Sequence, residues 1–252
     1  MRSCLILESD ASDEELAAAL DCGADTLLLR LGPCVEDAAR RGVRAHACAL
    51  INESRGKEAR GKEARGKRAG PKLFVEVAPL DSELIEADLD ALFGPGPDGV
   101  FLPSCDGAAS LQRMAVKLAV REAQAGLADG ATRIGAFAGG APAAVLALRS
   151  LAGASPRLAA LAFDEAGLRA ALGLACGDGA AVQLARAAVV LAAASAGVPA
   201  LAPPVQAGEE AAYAAARRHG FQGAMALIPG QIAAIHEVFS GGENRQRPQS
   251  SA

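Results

Sequence analysis

The sequence predicts an α/β protein built as one closed (β/α)8 barrel of the TIM type, and three observations predict it. Short apolar runs of strand length alternate with longer segments of helical period, the pattern of successive βα units. Eight such runs fit within 252 residues, the size of a single barrel. No G-x-G-x-x-G follows the first run, so the competing open, doubly wound sheet lacks its usual dinucleotide signature.

Cys4–Leu7 is the first strand, and Asp13–Cys22 follows as a helix with Ser12 as its N-cap and Gly23 as its stop. Thr26–Leu29 is the second strand, with a helix over Glu36–Arg55. Leu73–Val77 is the third, and Gly99–Leu102 the fourth, introduced by a Gly/Pro/Asp turn over Gly94–Gly99. Ala108–Gln124 is amphipathic, with Leu111, Met114, Ala115, Leu118 and Ala119 on one face. Thr132–Ala138 is the fifth strand and Leu158–Phe163 the sixth, followed by two helices, Glu165–Leu174 and Gly179–Ala196. Val198–Leu201 is the seventh strand, Gly208–His219 its helix, Ala224–Ile228 the eighth strand and Gln231–Phe239 the closing helix.

Residues 1–240 therefore form one domain. Within it, Arg55–Arg68 is a five-residue repeat, Arg-Gly-Lys-Glu-Ala twice and then Arg-Gly-Lys-Arg-Ala. A nucleic-acid arm or a patch for an anionic partner would use its positive charge. Interleaved Glu dilutes that charge and a Gly in every unit weakens a helix, so residues 56–69 read as a low-complexity insertion in a surface loop. Residues 241–252 are rich in Asn, Gln, Arg, Pro and Ser without apolar periodicity and read as a disordered tail.

Composition narrows the function classes. Hydrophobic residues make up 51% of the chain and aromatic ones 3%, which points to a core of Ala, Leu and Val and offers few stacking platforms for single-stranded nucleic acid. A net charge of −4 gives no broad basic face for nucleic acid or an anionic membrane. The most apolar stretch, Ala180–Ala196, is broken by Gln183, Arg186 and Ser195, and reads as a buried helix rather than a membrane span. The N-terminus runs straight into a strand with no leader-like apolar segment, so a cytoplasmic location is expected. The cysteines at 4, 22, 34, 48, 105 and 176 show no C-x-x-C pair or zinc-like spacing and read mainly as small hydrophobes.

In such a barrel, chemistry sits at the carboxyl ends of the strands. Those ends read Glu8-Ser9-Asp10, Arg30, Glu76, Ser104-Cys105-Asp106, Gly139-Gly140, Asp164-Glu165, Ala202-Pro203-Pro204 and Pro229-Gly230-Gln231. Cys105 beside Asp106 suggests a nucleophile, yet His46, His219 and His236 all fall within or at the ends of helices, leaving the thiol without a base. Gly139-Gly140 ahead of Pro142 could present amides to an anion, or be a plain strand-to-helix turn.

A series of landmarks, ordered along nearly the whole chain from Arg2 to Phe239, carries a family resemblance. They are Arg2-Ser3, Gly23-Ala24-Asp25, Gly96 to Pro103, Ser155 to Leu161, Ala185-Arg186 with Val189 to Ala192, Gly220-Phe221, and Pro229 with Gln231-Ile232 and Glu237 to Phe239. In this order the chain resembles the citrate lyase β subunit and the wider HpcH/HpaI aldolase/citrate lyase family. The resemblance implies Mg²⁺-dependent cleavage or formation of a C–C bond beside a CoA thioester or 2-keto acid. A hard cation held by carboxylates would there polarise a carbonyl and stabilise the enolate. It also implies a homo-oligomer, commonly a trimer, or pairing with an active relative.

The resemblance places the metal's Glu after the fifth strand and its Asp after the sixth; here those positions read Gly139 and Gly167. The acidic cluster after the second strand reads Arg30, the substrate-binding Arg of the third reads Glu76, and the Asn two residues on reads Ala78. Lys-Val-Glu after the fourth strand reads Ser104-Cys105-Asp106, the Asp after the seventh reads Ala202, and the His before Pro229 reads Ile228. Losing the metal removes several kcal/mol of transition-state stabilisation, roughly a thousandfold in rate or more. The expectation is a divergent member with weakened or lost metal chemistry and no assigned metal ligands, its candidate site residues being Arg30, Glu76 and Asp106. An inverted ion pair between Arg30 and Glu76 at the barrel mouth is expected. An active lyase or aldolase with repositioned acids, Asp106, Asp164, Glu165 and Glu76, is the alternative, and an unrelated metal-free enzyme on the same barrel is a third.

Overall fold

The computed structural model describes residues 1–8, 10–32, 37–65, 70–94, 96–174 and 179–240, with backbone alone at 37–39 and 55–65. Eight parallel strands close into one barrel: β1 (Ser3–Glu8), β2 (Thr26–Arg30), β3 (Lys72–Glu76), β4 (Gly99–Cys105), β5 (Arg133–Ala138), β6 (Leu158–Phe163), β7 (Ala200–Ala202) and β8 (Gly223–Ala226). Each pairs with its neighbour in sequence, and β8 returns to β1 through Ser3, Cys4 and Leu5.

Around the barrel run α1 (Asp13–Asp21), α2 (Asp37–Arg65), α3 (Ile85–Leu92), α4 (Ala108–Gln124), α5 (Pro142–Ala147), α6 (Glu165–Leu172), α7 (Ala180–Ser195), α8 (Ala211–Arg218) and α9 (Gln231–Ser240). The start of α1 is a capping box: the Glu15 amide donates to Ser12 Oγ, and the Ser12 amide donates to the Glu15 carboxylate at 2.8 Å. α3 and α5 have no counterpart in the sequence reading. Both are short, and α5 carries Pro142 in its first turn, so neither spans enough residues to declare a helical period.

The loop expected over 56–69 is replaced, as far as Arg65, by a continuation of α2. Apart from its glycine, each repeat unit is made of Arg, Lys, Glu and Ala, among the strongest helix formers, and these offset the roughly 1 kcal/mol that each Gly costs. Residues 66–69, the tail 241–252, Cys34 and Cys176 lie outside the described residues.

Alternate residues of each strand face opposite sides of the barrel wall. Cys4, Ile6, Leu28, Phe74, Phe101, Ala160, Ala162, Leu201 and Met225 form the interior cluster, with Phe137 against it. The other strand face packs with the helices in a larger layer that includes Leu5, Leu27, Leu29, Val75, Leu111, Leu118, Val189 and Ile235. The interior is more aromatic than the composition suggests. Phe101 packs edge-on to Phe74 at 6.4 Å and tilted to Phe137 at 4.9 Å. Space for these rings comes from glycine: a Cβ on Gly99 would lie 2.3 Å from the Phe74 ring, and one on Gly135 would lie 2.2 Å from the Phe101 ring. Three rings thus fill a space too narrow for many side chains.

Two buried ionic clusters fasten the helices. Fully buried Asp88 on α3 accepts from Arg40 at 2.6 Å, Arg44 at 2.7 Å and the Ala78 amide at 2.8 Å, tying α2 and α3 to the end of β3. At the opposite end, Glu122 on α4 takes both Nη atoms of Arg157 at 2.7 Å and the Thr132 amide at 2.6 Å, joining α4 to the starts of β5 and β6. Among the described residues no helix is long and apolar enough to cross a membrane.

Candidate functional site at the barrel mouth

Glu8, Arg30 and Glu76 stand level on adjacent strands, because Glu8 is in register with Arg30 and Arg30 with Glu76. They follow Ile6, Leu28 and Phe74 by two residues on the interior face, so all three crown the barrel lumen at the carboxyl ends of β1 to β3. Arg30 donates from Nε to Glu76 at 3.0 Å and from Nη1 to Glu8 at 3.3 Å. The expected inverted ion pair is therefore present, and Glu8 joins it from β1.

The two carboxylates differ. Glu76 is 18% exposed and Glu8 is 54% exposed. Burial raises the Glu76 carboxyl above its ordinary pKa, against the pull of the Arg30 guanidinium. Arg30 is what lets a carboxylate survive at this depth. Glu8 was open to detection in the sequence, since it ends the first strand as Arg30 ends the second and Glu76 the third. What the sequence did not supply was the level register.

Asp106 stands apart. It is exposed beyond the end of β4, where its carboxylate accepts from Ser104 Oγ at 3.2 Å, and no contact brings it to Arg30 or Glu76. Cys105 points the other way, buried in the layer between barrel and helices, with Sγ 3.6 Å from the Gly107 carbonyl. Burial pushes its thiol up to about 11, which rules out a resting thiolate.

On the opposite side of the mouth, Asp164 caps α6 by accepting from the Gly167 amide at 2.9 Å through Oδ1. Its Oδ2 lies 2.2 Å from where a Cβ on Gly140 would be and 2.3 Å from where one on Gly167 would be. Asp164 thus occupies volume that two side chains would otherwise enter, and a Cβ at either position would have to displace its carboxylate. An anion over Gly140 would meet this carboxylate, so the turn reading of Gly139-Gly140 holds over the anion-binding one. Gly139 has φ +76°, and a Cβ there would meet Val189 Cγ2 at 3.1 Å and the Phe163 ring at 3.5 Å. Position 139 therefore starts a side chain against Val189 and Phe163 of the outer layer.

Glu165 is committed elsewhere, held by Arg169 and by Arg186, each at 2.7 Å. Among the described residues no three His, Cys, Asp or Glu side chains are grouped to hold a metal ion. Of the described acids near the mouth, Glu76 is paired with Arg30, Asp164 caps α6 and Glu165 is held by Arg169 and Arg186.

A Ser–His–Asp contact at the other end of the barrel is not a catalytic triad. Ser3 Oγ is 2.8 Å from His236 Nε2, and Asp25 approaches that same nitrogen at 3.8 Å, whereas a triad places the serine and the carboxylate on opposite ring nitrogens. Ser3 is fully buried and accepts from the Asp25 amide at 2.9 Å. The contact joins α9 to β1.

Residues 11–226 match the profile of the HpcH/HpaI aldolase/citrate lyase family. The chain belongs to that family. No curated protein matches it. Among solved structures it is similar to RipC from Yersinia pestis, with 25% identity and a TM-score of 0.71 over 95% of this chain and 94% of that one. It is similar to the citrate lyase β subunit from Mycobacterium tuberculosis, with 21% identity and a TM-score of 0.69 over 95% and 96%. A magnesium/glyoxylate complex of Haloferax volcanii malate synthase aligns with 16% identity and a TM-score of 0.75, covering 100% of this chain and 77% of that one. The family's chemistry is that of aldolases and citrate lyases, and magnesium accompanies it in that malate synthase complex.

Proposed function

We propose that this chain is a divergent HpcH/HpaI family barrel that keeps the mouth as a binding site for a small carboxylate or acyl-CoA, with the magnesium-dependent C–C bond step weakened or lost. The observation that carries this reading is Gly139. Where the resemblance implies a metal-binding Glu, the backbone has φ +76° and directs a side chain towards Val189 and Phe163. Restoring the acid would strain the backbone and press its Cβ against Val189.

Incubation of the purified protein with malyl-, citramalyl- and citryl-CoA, with and without Mg²⁺, followed by mass spectrometry, tests the reading. No turnover in any mixture is the expected result. Mg²⁺-dependent cleavage abolished by Asp106→Ala would overturn it and establish the repositioned-acid alternative. One observation favours that alternative: Asp164 lies where a side chain at 167 would begin. Asp164→Asn is accordingly the companion variant in the same assay.

A cytoplasmic location and assembly into a homo-oligomer, or with an active relative, belong to the same proposal. Leu146, Leu184 and Leu191 on α5 and α7 are 81%, 66% and 68% exposed, which supports assembly through that side.

A further inference from the structure

α7 packs on the barrel through Val182, Ala185, Val189, Ala192 and Ala193. On its opposite side Ala180, Leu184, Ala187, Leu191 and Ala194 are all exposed, at spacings of four, three, four and three residues. That is the spacing of a coiled-coil seam, and here it stands open. Both leucines rank among the most exposed large apolar side chains of the described residues. The flanks of the seam, Ala181, Ala188 and Ser195 on one side and Gln183 and Val190 on the other, are uncharged. Arg186, the one charged residue of the helix, is turned aside to Glu165 of α6 at 2.7 Å. The segments outside the described residues contain no Leu, Ile, Phe or Met with which to cover the seam.

The alternation of large and small residues selects the partner. When two copies of α7 lie antiparallel, each Leu of one helix meets an Ala of the other: Leu184 with Ala194, and Leu191 with Ala187. Every layer then sets a large side chain against a small one, so all layers have the same volume. A parallel pair would stack Leu on Leu and Ala on Ala, alternating crowding with gaps. The outward half of α7, about 24 Å long and about 10 Å across, offers roughly 400 Å² per copy. Two such faces reach roughly 800 Å², so α5, which lies against α7 with Leu146 exposed, is needed to pass the ~1,000 Å² of a specific interface.

We propose that the exposed seam of α7 docks on the same seam of a second copy of this chain, as an antiparallel helix pair with two-fold symmetry. This rests on the proposed assembly through α5 and α7 and gives it a symmetry. An isologous contact closes a pair, whereas the trimer that the family resemblance implies joins two different surfaces of each copy.

Sedimentation velocity of the full chain from ~1 to ~100 µM should show a concentration-dependent monomer–dimer equilibrium. Leu184→Ala/Leu191→Ala removes the large side chains at exposed positions and keeps a strong helix former there, so the monomer still folds. It should raise the dimer dissociation constant about a hundredfold or more, since each change counts once in each copy. Val116→Ala/Val120→Ala, on the equally open face of α4, should leave the dimer unchanged. A dimer unaffected by the leucine variant, one weakened as much by the α4 variant, or a trimer would each overturn the α7 pairing while leaving assembly standing. A monomer throughout the range would sink both.

Discussion

Glu122→Gln should cost the barrel a specific, pH-dependent share of its stability. The wild-type carboxylate accepts from Arg157 Nη1 and Nη2, from the Thr132 amide and, at 3.0 Å, from the Gly130 amide. Burial alone would raise its pKa, but these donors outweigh it and hold the carboxyl at about 2 against an ordinary 4.5. At ~1.36 kcal/mol per pKa unit, that difference corresponds to ~3 kcal/mol. Because the folded-state pKa is the lower one, this contribution is complete above the unfolded value near 4.5 and disappears as pH falls through about 2. Urea unfolding of wild type and Glu122→Gln at a series of pH values measures it. The gap between them should be ~3 kcal/mol at pH 7 and shrink steadily below pH ~4.5. A gap under ~1 kcal/mol at pH 7, or one that does not change with pH, would refute the reasoning.

Three further outcomes follow from the packing and the buried groups. Gly135→Ala should destabilise the barrel by ~1–3 kcal/mol through overpacking of Phe101, and adding Phe101→Leu should recover part of that loss in a double-mutant cycle. Tyr213 is fully buried, and among the described residues its hydroxyl has no hydrogen-bond partner; Tyr213→Phe should therefore leave the denaturation midpoint unchanged or raise it. Cys105, 1% exposed with its thiol pushed up to about 11, should resist thiol reagents in native protein at pH 8 and react only on unfolding, as read by peptide mass spectrometry.

The barrel was legible in the sequence because its strands are short apolar runs with loops rich in Gly, Pro and Asp, and periodicity needs no knowledge of the tertiary fold. The Arg30–Glu76 pair was legible for a similar reason. Both residues end neighbouring strands with opposite charge, and parallel register in a barrel leaves them little choice but to meet. Glu8 is visible at a strand end, but its value depends on standing level with Arg30, which no local pattern shows. Asp106 stands out in the sequence by its place after β4, but a position in sequence does not say that its carboxylate turns to Ser104 rather than to the other charges.

The helix through the first part of the repeat is hard to read from sequence because the glycine in each unit masks the strong helix formers around it. The fit of Asp164 between Gly140 and Gly167 depends on two segments meeting in space, and no local pattern reports that. The aromatic lumen was hidden by averaging: seven Phe in the whole chain look sparse until three of them meet in one place.

The central proposal is that the mouth of this barrel has weakened or lost the family's divalent-cation site. Manganese titration of the purified protein, followed by electron paramagnetic resonance of the free ion and repeated with Mg²⁺ by calorimetry, tests it most directly. The account predicts no saturable uptake up to millimolar ion. Stoichiometric uptake that is lost in Asp164→Asn or Asp106→Ala would contradict it, and would assign the metal to acids that have moved rather than vanished.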